Sequence, residues 1–160
     1  MNHVKAGVVV VTKFCKSSSK AFYSYIDYVD REEAARSNNT SKYNLYQDYM
    51  GNPEKSTGLF TETGDVQTME EKTKLKDIFK QAQSKDSLMW QTVISFDNKW
   101  LEKNGLYSSK DKVLDEERVK GITRSAVHKM LEKEGLENAV WSAAIHYNTD
   151  NIHVHVATVE

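Results

Sequence analysis

The stretch AVWSAAIHYNTDNIHVHVATVE, Ala139 to Glu160, limits the possible folds more than any other part of the chain. Two apolar runs of strand length, AVWSAAIHY and NIHVHVATVE, are separated only by the polar turn NTDN. So short a connection can join antiparallel neighbours but not parallel ones, which need a crossover of a dozen residues or more. One antiparallel pair is therefore fixed before anything else is known.

Helical and strand patterns are interleaved upstream. AGVVVVTKF is apolar on both parities and predicts a central strand covered on both faces. A helix is expected from Ser19 to Arg36, with Ser19 as N-cap and Phe22, Tyr25, Ile26 and Val29 spaced as one stripe. A long loop follows, holding the only proline, with a hairpin around Leu59 to Thr61. Thr68 and Glu71 have the capping-box spacing ahead of a second helix, and SLMWQTVISFD reads as a second buried strand. NKWLEKNGL predicts a short helix ended by Gly105, and a longer one runs from Asp115 to Gly135. The sum is α+β: a single antiparallel-type sheet of about five strands flanked by helices.

At 160 residues the chain suits one domain, 1–160, and the strand that ends at the last residue suggests the N-terminal part of a longer protein. Its 39% hydrophobic and 28% charged residues are ordinary for a globular domain. A single cysteine, Cys15, forms no internal disulfide and points to a reducing compartment, so a cytoplasmic location is expected. No apolar run is long enough to span a membrane, and no signal peptide is legible. The net charge of -1 gives no global attraction to nucleic acid, yet the first 20 residues hold Lys5, Lys13, Lys16 and Lys20 and no acid. In the loop, Tyr43, Tyr46 and Tyr49 recur beside Lys42 and Lys55. They fit either an aromatic helix stripe or a stacking surface for bases of a single strand.

Three of the five histidines fall within ten residues, as H-x6-H-x-H. Side chains alternate along a strand, so His153 and His155 share a face. If the turn pairs Tyr147 with Ile152, His146 stands directly opposite His153 and all three rings converge. Three clustered imidazoles suit a metal ion with coordination positions left open for substrate, whereas three protonated rings would repel one another. His3 and His128 stand apart and read as surface residues.

This motif on two paired strands resembles the metal site of HUH endonucleases, in particular conjugative relaxases. YIDYVDREEA, DYMGNPEKSTGLFT, MWQTVISFDNKWLEKNGL and the closing hairpin are similar to relaxases of the MobP/MobL group of Gram-positive mobile elements, over nearly the whole chain. The resemblance implies an HUH-type fold and a divalent ion, Mn2+ or Mg2+, on His146, His153 and His155. It implies further that a tyrosine attacks single-stranded or hairpin DNA at an origin of transfer, and that accessory relaxosome proteins are partners. DYVDR matches the family's nucleophile context at Tyr28 better than SYIDY does at Tyr25. Helix geometry agrees: Tyr25 lies roughly 50° from the centre of the apolar stripe and Tyr28 roughly 110°, at its border. Both stay open as the nucleophile.

Related relaxases carry an acid three residues after the first metal histidine. Thr149 stands there in this chain and Asp150 follows it, so the base is open among Asp150, Asp30, Asp27 and Glu160. Arg31 joins Lys13, Lys16, Lys20, Lys42, Tyr43 and Lys55 as a possible DNA contact. Competing readings are a rolling-circle replication initiator, a three-histidine metallohydrolase using water, and a DNA-binding module that needs metal to fold. In the first, the histidine strand commonly precedes the tyrosine helix, and the order here is the reverse.

Overall fold

The computed structural model describes residues 6–16, 58–146 and 151–160. Among these, five strands form one antiparallel sheet: β1 (Val8–Cys15), β2 (Phe60–Thr61), β3 (Met89–Phe96), β6 (Val140–His146) and β7 (His153–Val159). Their order across the sheet is β1-β3-β7-β6-β2. Three helices accompany it: α1 (Met69–Ser84), α2 (Asn98–Lys103) and α3 (Glu116–Lys133). The α+β architecture read from the sequence is thus present, with helices on both faces. A small ribbon of β4 (Tyr107–Ser108) and β5 (Val113–Leu114) was not foreseen.

The helix starts follow local chemistry. Thr68 caps α1 by accepting from the Glu71 N–H at 3.1 Å, while the Glu71 carboxylate reaches back to the Gln67 N–H at 2.8 Å. Asp97 and Asp115 do the same for α2 and α3, accepting from the N–H groups of Lys99 and Arg118 at 3.2 Å. Gly105 and Gly135 follow the ends of α2 and α3 with φ of 71°, a conformation that favours glycine.

Two clusters of side chains hold the layers together. On one face, Val119, Val127 and Leu131 of α3 meet Ile94, Phe96, Trp141, Ile145, Val154 and Val156. On the other, Leu75, Phe79 and Ala82 of α1 meet Met89, Ala144, Ala157 and Val159. Alanine at 144 and 157 lets α1 settle close to the sheet, because a larger side chain would hold it off.

The short β2 hairpin is tied to α3 by charge. Lys120, only 6% exposed, donates to both Asp65 carboxylate oxygens at 3.1 Å, and the Arg124 Nε–H donates to the Thr61 carbonyl at 2.8 Å. Both cations lie over the Phe60 ring, at 5.7 and 5.4 Å from its centre.

One expectation is corrected. The AGVVVVTKF strand lies at the edge of the sheet among the described residues, and Val8, Val9, Val10 and Val11 are 38 to 56% exposed. Valine on both parities reports preference for extended backbone, which an edge strand and a central strand share. The central strand is β7, paired with β3 on one side and β6 on the other. The expected helix from Ser19 to Arg36 lies outside the described residues. No helix among the described residues is long and apolar enough to cross a membrane.

Candidate metal centre

The closing hairpin adopts the register that the sequence implies. His146 pairs with His153, and His155 pairs with Ala144 on one side and Val93 on the other. Directly paired residues share a face, so the sheet presents Val9, Ser95, His153 and His146 in one row and Val11, Val93, His155 and Ala144 in the next. The three imidazoles stand together on the face that α1 covers further along the strands.

Ring centres are 4.3 Å apart for His146 and His155, 4.8 Å for His153 and His155, and 5.4 Å for His146 and His153. One ligand nitrogen from each ring can be chosen so that all lie within 4.8 Å of one another. Such spacing lets a single ion reach three nitrogens at about 2.0–2.1 Å with modest ring rotation. His146 and His155 are buried and His153 is half buried, so the site is closed beneath and open on the His153 side.

Two features prepare the rings for a cation. His155 is pushed down from 6.5 to about 3, first by burial and then by the neighbouring His146 and His153. It is neutral at physiological pH, the state in which imidazole ligates metal. The second feature concerns His153, whose Nδ1 lies 3.1 Å from the Asn151 carbonyl oxygen. A carbonyl only accepts, so Nδ1 carries the proton and Nε2 is the atom left for a metal. Asn151 is held in turn through its neighbour, since the Ile152 N–H donates to the Asn98 side chain at 3.0 Å and the Ile152 carbonyl accepts from Phe96 at 2.8 Å. Nothing in the sequence pattern pointed to Asn98 or Asn151. An isolated asparagine carries no spacing signal. The donor set, three imidazole nitrogens carried on paired strands, fits a divalent ion with open positions.

Other residues singled out from the sequence are distributed unevenly. Lys13 lies on the histidine face, in the row of Gln91 and Ala157, next to the row of His155. Lys16 is exposed just beyond β1. Glu160 follows β7 at its far end, roughly 17 Å along the strand from His155. His128 is exposed, 4.0 Å from the Glu62 carboxylate, and takes no part in the cluster. Tyr25, Tyr28, Asp30, Arg31, Lys20, Lys42, Tyr43, Lys55 and Asp150 lie outside the described residues.

Comparison with known proteins agrees with the geometry. The family model of MobL relaxases matches residues 5–160. No curated protein matches the chain.

Proposed function

Because this chain belongs to the MobL relaxases, we propose that it nicks one DNA strand at an origin of transfer and keeps one end as a covalent tyrosyl ester. The convergence of His146, His153 and His155 on one point is the observation that carries this reading. These three side chains would hold a divalent ion, Mn2+ or Mg2+. An ion held there would supply positive charge to offset the negative charge that develops on the scissile phosphate.

The residues supply the rest. The Tyr28 hydroxyl, with Tyr25 as the alternative, attacks phosphorus in line. A bond forms from the phenol oxygen to phosphorus as the bond from phosphorus to the 3'-oxygen breaks. The departing oxygen takes up a proton and becomes a free 3'-hydroxyl, and the 5' end stays on the tyrosine. The phenol's ordinary pKa near 10 calls for a base to accept its proton. Since Glu160 stands at the far end of β7, the proposal gives that proton to one of Asp150, Asp30 and Asp27. One ester replaces another of similar energy, so the strand can be resealed after transfer without ATP.

Single-stranded or hairpin origin DNA is the substrate in this proposal, and accessory relaxosome proteins are the partners. The test incubates the chain with single-stranded origin DNA and Mn2+ and resolves the products on a denaturing gel. A protein-DNA adduct is expected from the wild type, lost in His153→Ala and in Tyr28→Phe. Loss in Tyr25→Phe instead moves the nucleophile to Tyr25. Cleavage without adduct, undiminished in both tyrosine variants, would identify a hydrolase that uses water and sink the proposal.

A further inference from the structure

Helix α1 lies on the histidine face of the sheet, and its charges are sorted by side. With Leu75 at the centre of its buried stripe, Lys72, Lys76 and Lys80 fall at roughly 60°, 100° and 140° around the axis on one flank. No acid shares that arc. Glu70, Glu71 and Asp77 fall on the other flank or nearly opposite the stripe, and Lys74, on that other flank too, pairs with Glu70 at 3.4 Å.

The direction of each flank follows from what it touches. A cavity of about 510 Å³ sets Glu71, Lys74 and Ile78 against Ala139, Val140 and Trp141, the start of β6 and the end of the sheet away from the histidines. A smaller cavity of about 190 Å³ sets Lys72 against Gly58 and Leu59. Phe60 pairs with Ala143 in an antiparallel ladder, so the chain preceding it runs toward Ile145 and His146. The flank with three lysines therefore faces the half of the sheet that carries the histidines.

On the same face, Lys13 stands one row beyond that of His155 and two strands across from it. The chain as a whole is almost neutral, so among the described residues these lysines gather positive charge on the face of a site read as acting on a phosphodiester. Successive lysines on the flank are about 6 Å apart along the helix axis, comparable to the spacing of phosphates along an extended strand. Lys72 and Lys76 are half buried and Lys80 is exposed.

We propose that Lys72, Lys76 and Lys80 of α1 form a phosphate rail that holds the DNA strand beside the histidine cluster, with Lys13 continuing it on the sheet. The rail rests on the relaxase reading. It reads backbone and not bases, so it fixes where the strand lies without choosing its sequence.

The test measures binding of a labelled single-stranded oligonucleotide by fluorescence anisotropy over a range of salt concentrations. Replacing Lys72, Lys76 and Lys80 together by Gln should lower affinity roughly ten- to hundred-fold near 0.1 M salt. It should also flatten the slope of log K against log salt by about 2, since each phosphate contact on a single strand contributes about 0.7. Lys80→Gln alone, at an exposed position, should flatten it by about 0.7. The three positions changed to Arg should keep the wild-type slope. A control set, Lys74, Lys129 and Lys133 changed to Gln, should also leave it unchanged, and Mn2+ titrated calorimetrically should bind every variant as it binds the wild type. If the control set flattens the slope equally, only net charge matters and the rail is wrong. If the wild type forms its adduct but the Lys72, Lys76 and Lys80 changes leave the slope unmoved, the rail alone fails. A wild type that holds no single strand overturns the rail together with the reading beneath it.

Discussion

His155 is the residue with the most to say about conditions. Its folded pKa of about 3 lies below the ordinary 6.5, so between those values the unfolded chain binds a proton that the folded chain refuses. Stability then rises with pH through this window. The contribution is complete above about pH 6.5 and is lost progressively as pH falls toward 3. A difference of this size corresponds to at most about 5 kcal/mol. In chelator-treated protein, urea midpoints should therefore fall steadily from pH 7 to pH 4, and His155→Gln should flatten that dependence. An unchanged slope in the variant would show that other groups dominate the acid transition. The cluster was legible at this scale because strand alternation and a short turn leave few ways to arrange H-x6-H-x-H. The supports for His153 were not, since Asn98 reaches Ile152 across 54 positions of sequence.

Elements were legible where a local signal fixes them and illegible where their neighbours do. Thr68 and Asp115 were readable as helix starts because capping chemistry acts within three residues, whereas Asp97, read as the end of a strand, shows its capping role only in the structure. Replacing Thr68 by Ala should cost about 1 kcal/mol in thermal or urea unfolding, as loss of an N-cap usually does. Strand order is different: the four consecutive valines of β1 state a backbone preference but not whether another strand or helix lies beside them. The lysines of α1 were hidden for a similar reason. EEKTKLK looks like any solvated helix surface until the direction of each flank is known. The tie between the β2 hairpin and α3 was equally invisible, joining Asp65 to Lys120 across 55 positions. Asp65→Ala would leave the buried Lys120 ammonium, among the described residues, with the exposed Glu117 carboxylate 3.6 Å away as its one acidic partner. Destabilisation of about 2–4 kcal/mol is expected, toward the low end because Asp65 is about one-third exposed. Adding Lys120→Met should recover part of that loss by replacing a stranded charge with an apolar chain over Phe60. A double variant no more stable than Asp65→Ala would mean that the charge is not what Asp65 compensates.

At the scale of the whole molecule, the question is whether the metal holds the fold or only serves the chemistry. The histidines occupy one end of one sheet face, whereas the two apolar clusters run along both faces and involve all three helices or the strands beside them. Neither cluster includes a histidine. With His155 neutral near pH 7, the protons that would drive the rings apart are not all present, so the strands do not need an ion to stay paired there. A small zinc finger is the opposite case, in which the metal supplies the free energy that a minimal core cannot. Treatment with a chelator at pH 7 should therefore leave the far-UV circular dichroism unchanged and the unfolding transition cooperative, while adduct formation with DNA disappears. Restoring Mn2+ should raise the transition only by the mass-action amount, about 2.7 kcal/mol at one hundred times its dissociation constant. Collapse of the dichroism on chelation would instead make the three histidines a structural site and return the chain to the reading in which metal serves to fold a DNA-binding module.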